Sequence, residues 1–323
     1  MDLFTAGWSS TGGWSSPLPA WDGPGTLVLV FGSSDLLDDD TPLRAVVDAF
    51  PSSALIGCST SGEILDESVH DGSLSVAVAR FERTVVGLEV EAVSQSSSAD
   101  VGRMVGKRLL DRGDDLAAIF VLSDGIDVNG SQLAEGLAEG TGGSAVITGG
   151  LAGDGSRFER TWVLVDGRPE ASHVTAVGLY GTALEVGYGS DGGWTVLGPE
   201  RVITRSEGNV LLELDGHPAL ELYKSYLGQR ATGLPATALL FPLAIRADED
   251  HSREAEHRHE EGTGEGKSDR RASKRCHADE QITGVRDAGI CEQPFQIRLR
   301  QRGQISIEQG ERGHADEQFA DFR

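Results

Sequence analysis

Short apolar runs, each closed by glycine, proline or a cluster of small polar residues, recur along the first 245 positions. Their length and their β-branched content predict strands rather than helices. They fall at Leu27 to Phe31, Ala54 to Cys58, Ser73 to Phe81, Val85 to Val93, Leu116 to Leu122, Ala145 to Thr148, Thr161 to Val165, His173 to Tyr180, Ala183 to Tyr188, Trp194 to Leu197 and Val210 to Leu214. Helical spacing is rarer. Pro42 follows Thr41 as a first-turn proline, with Leu43, Val46, Val47 and Phe50 on one stripe. A second helix starts near Ser98 and aligns Val101, Met104, Val105 and Leu109. A third follows Asn129 with Leu133 and Leu137. A fourth opens at His217-Pro218, carries Leu220, Tyr223 and Leu227, and stops at Gly228. The fold class expected is α/β with α+β character: mixed β-sheets with flanking helices, a strand-rich second part and a disordered-looking C-terminal tail.

The pattern breaks after the FPLAI run, Phe241 to Ile245. Residues 1–245 hold every Trp and Tyr, with 14 basic against 33 acidic side chains, whereas residues 246–323 hold five of the eight histidines and 14 basic against 18 acidic residues. A stretch such as ADEDHSREAEHRHEEGTGEG has too few apolar groups to offset its ordering entropy, so disorder is expected from Ala247 to Gln281. Weak alternation from Gln293 to Ile307 admits two short strands. The division expected is a flexible N-terminus at 1–26, a main domain at 27–215, a truncated start of a further domain at 216–246, and an aberrant, mostly disordered tail at 247–323. Such an abrupt change inside a folding pattern reads as a frameshifted end.

Composition removes several function classes. The net charge of −23 repels phosphate backbones and anionic lipid surfaces, so neither nucleic acid nor membrane is an expected partner. No run approaches the length of a membrane span. Three cysteines without CxxC spacing give neither a disulfide framework nor a zinc site, and the N-terminus lacks the basic and apolar regions of a secretory signal. A cytoplasmic location and no metal are the expectations.

Candidate chemistry gathers in glycine-rich polar knots at strand ends, where loops on a rigid scaffold carry binding groups. GCSTSGEI, Gly57 to Ile64, supplies Cys58, Ser59, Thr60, Ser61 and Glu63 as a polar pocket lip, or as a turn whose hydroxyls bond their own backbone. LSDGIDVNGSQL, Leu122 to Leu133, places Asp124 at a strand end and Asn129 either toward a ligand or as a helix cap. In GGLAGDGSRF, Gly149 to Phe158, the glycines at 149, 150, 153 and 155 admit an anion nest. There Asp154 and Arg157 either clamp a zwitterion or bridge each other. GYGSDGGW, Gly187 to Trp194, reads as a hairpin turn with Trp194 in the core.

These knots in this order, followed by LDGHPALELYKSYLG and FPLAI, resemble the FIST family over Leu27 to Ile245. The resemblance implies a bacterial-type sensory module of signal transduction that binds a small ligand, amino acids among them. It implies no catalysis, and output through a separate partner such as a histidine kinase or a cyclic-dinucleotide enzyme. Carried over by motif, the ligand-binding positions are Cys58, Ser59, Thr60, Ser61, Glu63, Asp124, Asn129, Gly150, Asp154 and Arg157. No cofactor is expected. The alternative is a haem-based nitric-oxide sensor using His70, His173 or His217 as axial ligand. A third reading makes Cys58 the nucleophile of an enzyme.

Overall fold

The computed structural model describes residues 1–184, 186, 194–207, 210–246, 290–291 and 304–310. The chain divides into two compact units, Met1–Ser190 with Gly284–Gln293 and Asp191–Thr283 with Pro294–Arg323. In chain order the first unit contains β1 (Asp2–Ser9), β2 (Gly13–Trp14), β3 (Thr26–Gly32), α1 (Thr41–Ala49), β4 (Ala54–Ser59), β5 (Glu63–Leu65), β6 (Ser68–His70), β7 (Ser73–Arg80) and β8 (Val85–Ala92). There follow α2 (Ser98–Asp111), β9 (Leu116–Ser123), α3 (Gly130–Thr141), β10 (Val146–Leu151), β11 (Val163–Val165), β12 (Arg168–Glu170) and β13 (His173–Tyr180).

Two sheets make the scaffold. The first has the order β12-β11-β4-β3-β7-β1-β2; the second runs β10-β9-β13-β8, with β18 (Ile290–Cys291) beside β10. The first sheet has one parallel pair, β3 with β4, among antiparallel neighbours, and in the second β10 lies parallel to both β9 and β18 while β13 is antiparallel to β9. The apolar run of β3 is buried on both faces because it lies inside a layered stack. Leu43 and Val46 of α1 and Phe50 at its C-terminal cap pack on Val28, Val30, Val76 and Val78 outside the first sheet. Leu27, Ile56, Cys58, Leu122, Val163 and Val177 fill the space between the sheets. Val101, Val105 and Leu109 of α2 and Leu133 and Leu137 of α3 cover Ile119, Val121 and Ile147 on the far side. The result is a helix, sheet, sheet, helix stack.

The two helices of the last layer touch backbone to backbone. A Cβ on Gly102 would lie 2.3 Å from the Leu133 carbonyl oxygen, and one on Gly136 would lie 2.2 Å from that of Ala99. Only glycine fits this crossing.

The expected α/β class with flanking helices is what the structure shows. The flexible N-terminus is corrected: β1 pairs with β7 along its whole length, from Asp2 opposite Arg80 to Ser9 opposite Ser73. Phe4, Trp8, Trp14 and Trp21 pack against the α1-side core, and the Arg80 guanidinium sits 4.8 Å from the Trp21 ring centre. Alternating Phe4, Ala6 and Trp8 supply the buried face that β7 needs on its outer side.

The second unit contains β14 (Trp194–Glu207), β15 (Val210–Leu214), β16 (His217–Pro218), α4 (Ala219–Leu227), β17 (Leu243–Arg246) and β19 (Gln304–Gly310), in the order β16-β15-β14-β19-β17. Leu214 and Ala219 anchor one cluster, and Tyr223, Leu227 and Ala238 another. The tail expected to be mostly disordered therefore contributes β18 and β19, and β19 overlaps the alternation noted at Gln293 to Ile307. The rest of the disorder reading, most of the Ala183 to Tyr188 strand and the GYGSDGGW turn with the Trp194 side chain lie outside the described residues.

Candidate functional site

The carboxyl ends of the β3–β4 and β9–β10 pairs carry the polar knots, and main-chain bonds stitch them together. Thr60 N–H donates to the Gly32 carbonyl (2.9 Å), Gly153 N–H to that of Ser59 (2.8 Å) and Ala152 N–H to that of Ser123 (2.8 Å). Loops from both sheets of the first unit thus converge at one edge of the stack, the place where α/β sheets present ligand sites.

Asp154 is the hub. Its Oδ1 accepts from the Ser34 hydroxyl and from Arg157 Nε (2.9 Å), and its Oδ2 accepts from the main-chain N–H groups of Glu159 (2.9 Å) and Arg160 (3.1 Å). Burial would raise the Asp154 pKa, but the bonds from Ser34, Glu159, Arg160 and Arg157 outweigh it and hold the carboxyl below the usual range. Arg157 also donates to Ser34 Oγ and to Asp35 Oδ1 (3.0 Å), and Arg160 forks onto Asp38. Of the two readings of Asp154 and Arg157, the structure forms the mutual bridge: the carboxylate is saturated by protein donors. The Arg157 side chain stays 44% exposed.

The other two buried carboxylates are likewise spoken for. Asp124 Oδ1 accepts from the N–H groups of Ile126 (2.7 Å) and Asp127 (2.8 Å), and its Oδ2 from Thr161 Oγ1 and Ser172 N–H, both at 3.0 Å. Glu63 accepts from Thr60 Oγ1 (2.7 Å) and from the N–H (3.0 Å) and hydroxyl (2.8 Å) of Ser73. Ser59 Oγ, fully buried, accepts from Trp162 N–H (3.1 Å). Buried acids with every oxygen hydrogen-bonded fix the loops in shape.

The remaining predicted positions separate. Cys58 is buried between the sheets, where burial pushes its thiol up to about 12, the reverse of an activated nucleophile. Asn129 caps α3, its Oδ1 accepting from Gln132 N–H (3.1 Å). Gly150 lies inside β10, paired with Leu122 and Cys291, and Gly149 is in the same strand. The anion nest is corrected accordingly, since the two loop N–H groups left to it are committed: Gly153 to Ser59, and Gly155 to Ser61 Oγ at 3.1 Å. The exposed residues of the knots include Ser61, Ile64, Ile126, Asp127, Ser156, Arg157 and Phe158. Ser34, Asp35, Thr161 and Trp162 were missed from the sequence. FGSSDL at the end of β3 has the same strand-then-small-polar form as the knots that were noticed.

Among the described residues, the three histidines named as axial candidates lie apart. His70 and His217 are exposed on β6 and β16, and His173 is bonded through Nδ1 to the Ala171 carbonyl (2.6 Å). Among the described residues no group of three His, Cys, Asp or Glu can hold a metal, and no helix is long and apolar enough to cross a membrane.

Comparison with known proteins gives one decisive match, to the FIST N domain over residues 26–217. That is more than half of the chain. The chain belongs to the FIST family. A FIST domain is a sensory domain of signal transduction. The matched span runs past the boundary of the first compact unit at Ser190. No curated protein matches. Among solved structures, one of a cyanuric acid hydrolase, titled as evolutionary innovation by structural concatenation, aligns at 10% identity over 96% of this chain and 98% of that one. Its TM-score of 0.32 carries no inference about fold or activity.

Proposed function

We propose that this FIST protein senses a small polar ligand, amino acids among them, at the exposed rim over the carboxyl ends of β3, β4, β9 and β10, and passes the signal to a separate partner without catalysis. The single observation that supports the reading is the half-exposed Arg157 guanidinium. It is held from below by Ser34, Asp35 and the saturated Asp154, on a loop that joins both sheets of the first unit. With Nε and Nη2 turned to Asp154 and Ser34 and one Nη1 hydrogen on Asp35, the fixed guanidinium keeps one outward Nη1 N–H and its positive charge for a ligand carboxylate. Ser61, Ser156 and the Phe158 ring lie along the same rim. With its oxygens filled, Asp154 acts by positioning Arg157, and a ligand ammonium finds its acceptors elsewhere on the rim, among them Asp127.

A non-catalytic role is supported by the raised Cys58 thiol and by the structural employment of Asp124, Glu63 and Asp154. The test is a thermal-shift screen of the purified chain against the twenty amino acids and haem, since a ligand that favours the native state raises the melting temperature by mass action. A shift given by an amino acid and lost on Arg157→Ala, with the unliganded melt intact, upholds the reading. A shift that survives Arg157→Ala, or appears only with haem, overturns it.

A further inference from the structure

The rim continues directly into a small hairpin whose outward face is apolar. Ser61, which accepts the Gly155 N–H, is followed by β5 and β6, joined at Asp66 and Glu67. The inward side chains anchor it. Glu63 is bonded to Thr60 and Ser73, and Leu65 lies over Gly7, where a Cβ would come within 2.4 Å of its Cδ2. Ser75 Oγ fixes the Ile64 carbonyl (2.9 Å). Outward, Ile64 and Val69 sit directly opposite each other in register, each 69% exposed. An isolated exposed apolar residue is ordinary, but two as a cross-strand pair on an anchored hairpin form a continuous ridge.

Around that ridge the exposed side chains Asp66, Glu67 and Asp71 carry only negative charge apart from His70. The chain as a whole carries −23. An apolar centre with an acidic rim is complementary to an apolar strip flanked by Lys and Arg, and the net charge steers such a partner toward it. We infer that the β5–β6 hairpin is the docking surface for a partner protein that presents an amphipathic helix with a basic border. Ile64 and Val69 enter the helix groove between its apolar side chains, while Asp66, Glu67 and Asp71 face its cations. The contact is small, of the transient signalling kind. Glu63, Thr60 and Ser61 connect the hairpin to the loops of the sensing rim, so a ligand that shifts those loops also shifts the docking ridge. The docking itself does not depend on the ligand reading, because it is measured on the unliganded chain.

The test uses fluorescence anisotropy of the full chain with a labelled helical peptide of leucines bordered by lysines, and with the same peptide carrying serine for leucine. The leucine peptide binds, the double substitution Ile64→Ser with Val69→Ser weakens it about tenfold, and Glu67→Lys weakens it and lowers its salt dependence. Leu220→Ser with Leu240→Ser, on exposed positions of the second unit, leaves it unchanged. Equal binding of the serine peptide, or affinity indifferent to both hairpin variants, overturns the inference and leaves only general charge attraction. Sedimentation velocity supplies a second arm: a dimer of the chain that the Ile64→Ser, Val69→Ser protein cannot form would assign the ridge to self-association instead. If that protein fails to fold by circular dichroism, Glu67→Lys in the exposed turn decides the matter.

Discussion

Gly136→Ala adds one methyl group to α3, and in an isolated helix it would stabilise by about 1 kcal/mol, because alanine has the higher helix propensity. Here the sign reverses. The new Cβ would lie 2.2 Å from the Ala99 carbonyl oxygen and 2.9 Å from the Arg103 nitrogen, both backbone atoms of α2. Ordinary contact needs more than an ångström of extra room, and backbone cannot rotate away as a side chain can. The helices must move apart where Val101, Val105, Leu133 and Leu137 are buried together. Overpacking of this kind costs about 1 to 3 kcal/mol, which at its upper end outweighs the propensity gain and leaves a net loss of about 1 to 2 kcal/mol. For a domain of this size that is a melting temperature lower by about 2 to 8 °C.

Gly102→Ala, aimed at the Leu133 carbonyl oxygen at 2.3 Å, makes the same demand from the other side. One separation of the helices accommodates both methyl groups, so the double variant loses less than the sum of the singles. Equilibrium urea unfolding followed by circular dichroism measures all three. A stabilised Gly136→Ala protein, or strictly additive losses, would refute the backbone contact on which this reasoning rests.

The remaining predictions concern the site. Cys58, in a Cys276→Ser, Cys291→Ser background, resists iodoacetamide at neutral pH and reacts only as denaturant opens the core, read by mass spectrometry; fast native labelling would contradict its raised pKa. Asp154→Asn destabilises by about 2 kcal/mol at pH 7. Because the folded-state pKa is lowered, that stabilisation is present above the unfolded value of about 3.9 and is lost as pH falls through it toward the folded pKa. The gap between wild type and variant in urea melts therefore narrows below about pH 4; a gap independent of pH would mean that the carboxylate charge contributes nothing. Asn129→Ala costs about 1 kcal/mol and Asn129→Ser only a few tenths. Loss of a ligand-induced thermal shift in the stable serine variant would make Asn129 a ligand contact as well as a cap.

Much of the scaffold was legible because burial on one or two faces leaves a periodic record. β3, β9 and β13 are apolar runs, and α1 to α4 show helical stripes with caps at Asn129 and Gly228. The strands that escaped notice are those with weak records. β5, β6 and β12 have three residues each, too few for a period, and their exposed faces include Ile64 and Val69. β1 was hidden by the glycine, serine and tryptophan around it, although Trp8 in it and Trp14 and Trp21 after it pack on the α1-side core. β19 pairs with strands more than 50 positions away, and no local pattern announces such a partner.

The site was legible in location but not in role, for a physical reason. A buried carboxylate must have its oxygens filled, and a short sequence knot does not say whether the donors are protein N–H groups or a ligand. Asp124, Asp154 and Glu63 lie where the motifs put them, yet their donors come from Ser34, Thr161, Ser172, Ser73 and the main chain at 126–127 and 159–160. Several of these are more than 30 residues away along the chain, beyond the reach of any motif. Once the acids are satisfied from within, the recognition proposed above falls to the groups they hold up: the outer face of Arg157, the hydroxyls of Ser61 and Ser156, and the ridge of Ile64 and Val69. Buried acids fix the shape of the rim in this protein, and the exposed residues they support are the ones free to change partner.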